Sequence, residues 1–451
     1  MMLLSRSEYV LLLCGDAIVF FLSLWISLAV RYVDIPSLAL YRLHAYPFTF
    51  IFIVWIGVFF VAGLYGKHTR LFRQRLLTVI VVSQTINIVL AAFFFFFMPI
   101  FGIAPKTILA LYLVISTVLI FMWRVVIFPV VNQAKPLVGV LLASGNDVHV
   151  LAQEVQHDPH YQLSFESVVD TSVVPSHEIV QQTCRAAARD TVSFLVIDFF
   201  DPASATILPL MYSAAFQKER FILVDILDLY QEVFERVPLS LVRYEWILRH
   251  VTVSRLYDRL KRTVDFACAC IMGVVSLIVY PFVMLAIKLE DGGPIFITQE
   301  RVGKYQRPIH IVKFRSMSGN DNGDYGNGGI SKLHITRVGK IIRILRIDEL
   351  PQLWNVIKGD LSLVGPRPEL PALVAQYNAR IPYYSARYLV TPGLTGWAQI
   401  RHDRDPHHGA DINETKMKLA YDLFYLSRRS LVLDVYILFQ TIRIVLTARG
   451  S

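Results

Sequence analysis

The stretch RILRIDELPQLWNVIKGDLSLVGPRP, residues 343–368, decides how the C-terminal part of this chain is interpreted. It contains two adjacent acids, Asp348 and Glu349 (the acid pair), followed closely by Pro351. Because proline is favoured in the first turn of a helix, the pattern predicts that the acid pair lies at a helix N-terminus. That end carries free N–H groups and positive partial charge, and it favours anions. The alternative interpretation is an ordinary N-cap and first-turn acid.

Arginines are placed around the acid pair, at Arg343, Arg346 and Arg367. Their guanidinium groups offer forked donors that suit phosphate oxygens. Arg367 lies between Pro366 and Pro368 in the segment Gly-Pro-Arg-Pro, residues 365–368, which we call the GPRP turn. Each proline locks φ, so the sequence predicts an arginine held on a rigid backbone for phosphate binding, with a plain turn as the alternative.

Lys313 and Arg315 alternate with apolar residues as they would in a strand, which predicts that both cations lie on one face. A solvated strand face is the alternative. These residues begin the motif KFRSM, residues 313–317. Two further motifs are QERVG, residues 299–303, and TPGLTG, residues 391–396.

Together with DELPQ and KGDLSLVGPRP, these motifs resemble the bacterial monotopic phosphoglycosyl transferases, which are polyprenyl-phosphate hexose-1-phosphate transferases. The resemblance covers roughly residues 255–448. The arrangement upstream resembles the large members of that family, which add four membrane helices and a Rossmann-like domain.

The resemblance implies a reaction in which Asp348 is the nucleophile. It would attack the β-phosphorus of a UDP-sugar, release UMP and form an aspartyl phosphosugar. Undecaprenyl phosphate would then attack that intermediate. A Mg²⁺ ion held by Asp348 would offset the charge of the diphosphate. Glu349 is the second acid of the family, Arg343 lies at the offset of its phosphate-binding arginine, and Gln299 and Arg301 are weaker candidates.

Composition indicates a membrane protein of about three domains, with 451 residues of which 55% are hydrophobic. The formal charge of +9 is uneven, since an acidic middle part lies between two basic parts. Those basic parts suit anionic lipid or anionic substrate. Nucleic acid is a poor second interpretation, because the cations are mixed with long apolar runs and no nucleic-acid-binding motif is found; we expect no nucleic-acid partner.

Four apolar stretches, at about 9–30, 46–65, 76–100 and 107–131, predict a four-helix transmembrane bundle within residues 1–133. The cations between the second and third stretches place both ends of the bundle in the cytoplasm by the positive-inside rule. Asp16 and Arg124 are ionisable residues inside these stretches. A charge in the bilayer is costly unless it is paired or hydrated, so they either pair or each meet lipid headgroups.

Residues 134–250 alternate strand-like and helix-like segments, which predicts a Rossmann-like domain with a parallel sheet. Its first turn, residues 143–147, lacks the G-x-G-x-x-G pattern that dinucleotide binding requires. We therefore expect a structural or regulatory domain.

The third predicted domain, residues 251–451, begins with an apolar helix at about 264–288 that contains Pro281. Proline kinks a helix, so the segment either spans the bilayer or enters it and returns. The resemblance implies the re-entrant form, with an active site facing the cytoplasm at the bacterial inner membrane.

Four other segments carry weaker expectations. Residues 318–331 predict a mobile loop that is either a connection or a lid. Residues 338–347 and 430–446 predict helices that lie in the membrane interface, the second also being long enough to consider as a span. The polar segment 403–411, with its histidines and aspartates, fits no standard metal spacing and is expected to contact sugar or nucleotide instead.

The sequence thus predicts an α-helical membrane bundle, an α/β Rossmann-like domain and an α/β catalytic domain with a re-entrant membrane helix. The expected function is transfer of a sugar-1-phosphate to undecaprenyl phosphate, which starts the assembly of an exopolysaccharide, capsule or O-antigen glycan. The alternatives are a membrane nucleotide-sugar dehydratase and a non-catalytic scaffold. The sequence does not name the sugar, and it leaves open whether the protein is a homodimer.

Overall fold

The computed structural model describes residues 6–62, 64–65, 73–97, 106–131, 137–157, 161, 163–171, 192–201, 204, 208–209, 212, 222–251, 255–318, 334–402 and 411–446. Residues 319–331 of the loop predicted as a connection or a lid, and residues 403–410 of the polar segment, lie outside these ranges.

The N-terminal part is a bundle of long apolar helices. They are α1 (Arg6–Tyr32), α2 (Leu38–Val61), α3 (Arg73–Phe97) and α4 (Lys106–Met122), the last continuing through a π-helical turn (Trp123–Ile127) and a final α-helical turn (Phe128–Val131). Within the described ranges, four segments are long and apolar enough to cross a bilayer: Val10–Tyr32, Leu38–Phe60, Val79–Phe97 and Thr107–Ile127. The prediction of four apolar membrane helices is confirmed.

A buried ion pair joins the first and fourth helices of the bundle. The Arg124 guanidinium donates from Nε to Oδ1 of Asp16 over 3.1 Å, and it also donates to the other oxygen of that carboxylate and to the carbonyl oxygen of Leu64. Both side chains are buried. The predicted pairing is confirmed, and it satisfies two charges that would be costly in lipid.

The middle part contains a parallel sheet. Its elements are β1 (Leu137–Ala143), α5 (Asn146–His157), β2 (Leu163–Asp170), β3 (Val192–Ile197), β4 (Ile222–Asp225), α6 (Ile226–Phe234) and α7 (Tyr244–His250). The strand order is β2-β1-β3-β4, and every neighbouring pair is parallel. Two of the helix-like segments that the sequence predicts in this part, residues 177–189 and 203–217, lie wholly or mostly outside the described residues.

The C-terminal part is a mixed α/β domain of short elements. Its helices are α8 (Arg255–Ser276), α9 (Tyr280–Asp291), α10 (Arg337–Ile344), α11 (Leu353–Lys358), α12 (Pro371–Arg380), α13 (Trp397–Arg401), α14 (Ile412–Arg428) and α15 (Leu431–Leu446). Its strands are β5 (Phe296–Val302), β6 (Pro308–Phe314), β7 (Met317–Ser318), β8 (His334–Ile335), β9 (Ser362–Val364) and β10 (Gly393–Thr395). Turns of 3-10 helix are Lys304–Gln306, Ile347–Gln352 and Tyr384–Leu389.

These strands pair two by two. β5 and β6 form an antiparallel hairpin, β7 and β8 form a second antiparallel pair, and β9 runs parallel to β10.

The apolar helix predicted near residues 264–288 is broken. The chain bends by 58° between α8 and α9. Pro281 lies in the first turn of α9 rather than in the middle of one helix. Proline is accepted there because it removes no internal hydrogen bond. Ile278 and Phe282, next to the break, are 70% and 72% exposed. The predicted kink is therefore confirmed, and its apex is an exposed apolar surface.

Candidate active site

The acid pair lies in the 3-10 turn Ile347–Gln352, which begins directly after Arg346. The prediction that both acids occupy the first turn of a helix is confirmed. Arg346 has φ of 54°, in the left-handed region. A non-glycine residue in such a conformation costs roughly 1–3 kcal/mol, so the surrounding structure must hold this reversal in place.

Glu349 is held by two arginines. Nη2 of Arg367 donates to its Oε1 over 2.9 Å, and Nη1 of Arg346 lies 3.7 Å from its Oε2. Burial alone would raise the pKa of Glu349, but the positive charges of Arg367, Lys313 and Arg346 outweigh burial and lower that pKa to about 2. Glu349 therefore stays ionised at neutral pH and holds the Arg367 guanidinium.

Asp348 is next to Glu349 in the sequence, but its carboxylate has no comparable arginine contact among the described residues. It is 9% exposed, and within the described part of the chain no group donates a hydrogen bond to its carboxylate. Burial, together with the charge of Glu349, raises the pKa of Asp348 to about 6. Lys313, Arg343 and Arg346 act against that rise. The Asp348 carboxylate is therefore close to cations but accepts no described hydrogen bond from them.

Lys313 reaches the acid pair from β6. In the β5–β6 register it stands opposite Ile297, while Arg301 stands opposite Ile309. Residues opposite each other in an antiparallel pair share a face, so Lys313, Gln299 and Arg301 lie on one face of the hairpin. Burial lowers the pKa of Lys313 to about 8, with Glu349 opposing that shift.

Arg301 and Gln299 are tied to the GPRP turn. Arg301 donates from Nη2 to Oε1 of Gln299 over 2.7 Å and from Nη1 to the carbonyl oxygen of Pro368 over 3.3 Å. Arg315 lies one residue beyond the end of β6, and its guanidinium covers Gly293, where an added Cβ would come within 1.5 Å of Nη1. A phosphate-binding role for Arg315 stays a prediction.

Glycines in two motifs allow the GPRP turn to pass close to the TPGLTG segment. An added Cβ would lie 2.1 Å from the nitrogen of Gly365 if placed on Gly393, and 2.3 Å from the carbonyl oxygen of Gly365 if placed on Gly396. The Gly393 N–H donates to the carbonyl oxygen of Pro366 over 3.0 Å. The TPGLTG motif thus gives the backbone contact that fixes the GPRP turn.

A buried charged group behind the GPRP turn was missed from the sequence. We call it the support network, and it consists of Glu369, Arg387, Lys418 and Asp422. Arg387 donates to the carbonyl oxygen of Arg367 over 3.0 Å and pairs with Asp422 at 2.8 Å. Lys418 donates to Glu369 over 2.6 Å. Lys418 and Asp422 are four residues apart on one face of α14, which was the available signal.

Helix α8 is bonded to the elements that carry the site. The Arg262 guanidinium donates to the carbonyl oxygens of Val356 and Ile357, the second over 2.6 Å, at the end of α11. Asp265 accepts from the Ser362 hydroxyl over 2.7 Å, at the start of the strand that leads into the GPRP turn. The helix therefore positions both flanks of the site.

Comparison with known families matches residues 256–448 to the family described as bacterial sugar transferase. A UDP-N-acetylgalactosamine-undecaprenyl-phosphate N-acetylgalactosaminephosphotransferase of Aeromonas hydrophila is 44% identical over 205 residues, which are 44% of this chain and 46% of the relative. A UDP-glucose:undecaprenyl-phosphate glucose-1-phosphate transferase of Caulobacter vibrioides is 40% identical over 195 residues, which are 43% of this chain and 72% of the relative. An uncharacterised sugar transferase of Bacillus subtilis, EpsL, is 37% identical over 191 residues, which are 42% of this chain and 89% of the relative.

These matches define the class of the C-terminal part as a sugar transferase domain. The aligned region is less than half of the Aeromonas relative but most of the Caulobacter and Bacillus relatives. The chain belongs to the bacterial sugar transferase family, as the sequence motifs predicted.

Proposed function

We propose that this protein transfers a sugar-1-phosphate from a UDP-sugar to undecaprenyl phosphate and releases UMP. The observation that carries the proposal is the contrast within the acid pair. Glu349 is engaged by two arginines, whereas Asp348 is buried among cations with no described hydrogen-bond donor. A carboxylate without hydrogen-bond donors is available as a nucleophile, and the cations around it suit a substrate that carries a negatively charged diphosphate.

In the first step an Asp348 carboxylate oxygen forms a bond to the β-phosphorus of the UDP-sugar. The bond from that phosphorus to the bridging oxygen breaks, and UMP leaves with the electron pair. In the second step a phosphate oxygen of undecaprenyl phosphate attacks the same phosphorus. The Asp348 carboxylate is restored, and the product is an undecaprenyl diphosphate sugar.

The surrounding cations suit this chemistry. A diphosphate and a lipid phosphate add negative charge next to two carboxylates, and phosphoryl transfer depends mainly on positioning and charge stabilisation. Lys313, Arg343 and Arg367 approach from a strand, the end of α10 and the GPRP turn. Their separate origins allow them to contact different oxygens of one diphosphate.

The donor set at Asp348 also fits Mg²⁺. Such an ion is usually held by one or two carboxylates together with substrate phosphates and water. Asp348 offers one such carboxylate, and its pKa is raised by burial and by the negative charge of Glu349, which a bound cation would offset. When bound, the metal would supply charge neutralisation at the diphosphate, and Asp348 is the residue that would hold it.

Glu349 is assigned a positioning role rather than proton transfer. A pKa lowered to about 2 leaves it unprotonated throughout the physiological range. Its bond to Arg367 instead sets the direction of that guanidinium.

The bent pair α8–α9 is assigned as a re-entrant membrane element. Near the start of the pair, Arg262 and Asp265 are bonded to α11 and β9. At its end, Glu290 of α9 accepts from the backbone N–H groups of Arg337 and Val338 at the start of α10, over 2.6 and 3.1 Å. Both ends are thus bonded to the same domain, which favours entry and return on one face. That face would be the cytoplasmic side of the bacterial inner membrane.

We assign the middle domain a structural role. The carbonyl oxygen of Glu235, just after α6, accepts from Nε1 of Trp397 over 2.9 Å. The Val237 N–H donates to the carbonyl oxygen of Ala420 over 3.1 Å. These bonds join the predicted Rossmann-like domain to helices α13 and α14 of the catalytic part.

The proposal is tested with detergent-purified protein, Mg²⁺, undecaprenyl phosphate and a panel of UDP-sugars, including UDP-N-acetylgalactosamine and UDP-glucose. UMP release with a particular sugar would support the transferase and identify its donor. UDP release would mean direct glycosyl transfer and would overturn the proposal. NAD retained on purification, without UMP release, would favour a dehydratase, and inactivity with every donor would favour a scaffold.

A further inference from the structure

The side chain of Asn355 bridges the helix that follows the acid pair and the strand that carries Lys313. It lies in α11 and is 2% exposed. Its Nδ2 donates to the carbonyl oxygen of His310 over 2.8 Å, and its Oδ1 accepts from the backbone N–H of Val312 over 3.2 Å. Both backbone groups belong to β6.

This geometry closes the free edge of the β5–β6 hairpin. In a sheet, a residue of a parallel neighbour strand accepts from one residue and donates to the residue two positions earlier. A carboxamide carries one acceptor and an N–H donor, as a peptide group does. Asn355 therefore takes the place that a third strand would occupy opposite Ile311, whose own side chain is 2% exposed.

The bridge has a direct consequence for Lys313, the residue after Val312. α11 continues without a gap from the 3-10 turn that carries the acid pair. Clamping β6 to α11 thus sets the separation between the Lys313 ammonium and the two carboxylates. Within the described residues, the direct links between α11 and β6 by side-chain hydrogen bonds are these two bonds of Asn355.

We propose that Asn355 is a positioning residue that holds Lys313 beside the acid pair through its two bonds to the backbone of β6. This inference rests on the proposed function for its kinetic consequence, but the placement of Lys313 can be tested without activity. It assigns to Asn355 an effect on turnover rather than on donor affinity, because the side chain acts on a cation already inside the site.

The first test measures the acylation rate of Lys313 by a lysine-selective reagent, followed by peptide mass spectrometry, with exposed Lys340 as the internal standard. Asn355→Leu removes both bonds to β6, together with a longer bond of 3.4 Å from Nδ2 to Oδ2 of Asp360 within the same segment, and it adds no charge. It is expected to raise the rate at Lys313 by at least about threefold relative to Lys340, since a released strand edge opens more often. Val356→Ala, at a fully buried neighbour in the same helix, is the stability control and is expected to leave the ratio unchanged. An unchanged ratio in Asn355→Leu would overturn the inference.

If Asn355→Leu does not fold, Asn355→Asp replaces it, since the carboxylate still accepts from Val312 but loses the donor bonds to His310 and Asp360. The second test is a double-mutant cycle on UMP release with Lys313→Gln. In the wild-type background, Asn355→Leu is expected to lower kcat roughly tenfold to a hundredfold with little change in KM. In the Lys313→Gln background, the same substitution is expected to lower kcat by less than about twofold. Fully additive losses would overturn the inference while leaving the transferase intact. Wild-type protein that makes no UMP would instead overturn the proposed function.

Discussion

Two groups of buried charges lie back to back on either side of the GPRP turn, and they are built differently. In the support network, each of the four members pairs with an opposite charge at 2.6 to 3.6 Å, and Glu369 also lies 3.9 Å from Nη1 of Arg301. On the other side the acid pair faces more cations than it can neutralise; these are Lys313, Arg343, Arg346 and Arg367.

The difference separates a structural charge group from a functional one. A set of buried ion pairs in which every acid is engaged fixes geometry, and removing one member leaves an uncompensated charge. An excess of positive charge next to Asp348, a carboxylate without a described hydrogen-bond donor, favours the binding of an anionic ligand. Arg367 joins the two groups, since its carbonyl oxygen contacts Arg387 and its guanidinium contacts Glu349.

The largest expected effect is on activity and comes from Asp348→Asn. We expect UMP release to fall by at least about a thousandfold, because the nucleophile is lost. The free energy of unfolding is expected not to fall, since the substitution removes a buried carboxylate without a hydrogen-bond donor. Activity and thermal unfolding of the same preparation check this. A marked loss of stability would show that Asp348 belongs to the structural group.

Glu369→Gln should mainly lower the free energy of unfolding. It leaves Lys418 and Arg387 without their shared carboxylate, and breaking such a buried pair costs about 3–5 kcal/mol. Chemical unfolding checks it against Glu300→Gln, an exposed control on β5 that is expected to stay within about 0.5 kcal/mol of the wild type. Equal stability of the two variants would contradict the structural role of the support network.

Arg367→Lys tests the residue that joins the two groups. Lysine keeps the charge but lacks the planar fork, so we expect kcat/KM to fall roughly tenfold to a hundredfold. Stability should change little, because the bond from Arg387 goes to the backbone of residue 367. Steady-state kinetics with one donor sugar measures the loss. If the kinetics of Arg367→Lys equal those of the wild type, Arg367 does not bind the substrate.

The dependence of stability on pH should distinguish the groups without any substrate. Asp348 has a folded pKa raised to about 6, so its protonation stabilises the fold as the pH falls from 7 towards the unfolded value. Glu349 and Glu369 have lowered pKa values, so their contribution is present above about pH 4.5 and is lost below it. In metal-free buffer, unfolding free energy should rise between pH 7 and 5 and then fall. Asp225, whose pKa burial raises to about 7, contributes to the same rise. Asp348→Asn should therefore make the rise smaller and keep the acid loss; an unchanged rise would contradict the assignment.

The acid pair, the GPRP turn, the four apolar helices and the kink at Pro281 could be predicted because each depends on local sequence. Proline, glycine and adjacent carboxylates restrict the backbone within a few residues of themselves. The support network could not be predicted, because Glu369, Arg387 and Lys418 come from separate segments and meet only in the folded domain. The division of roles between Asp348 and Glu349 also depends on a distant residue, Arg367, and neither the motif nor its spacing shows which acid that arginine contacts.

The most direct test of the central claim is the mass of the protein after incubation with Mg²⁺ and the preferred UDP-sugar, without lipid acceptor. We predict a gain equal to one sugar phosphate, located on the peptide that contains Asp348, formed together with UMP and lost when undecaprenyl phosphate is added. Asp348→Asn should show no gain. If UMP forms only when the lipid is present and no mass is gained under rapid quenching, the sugar phosphate passes directly between substrates and Asp348 is not the nucleophile.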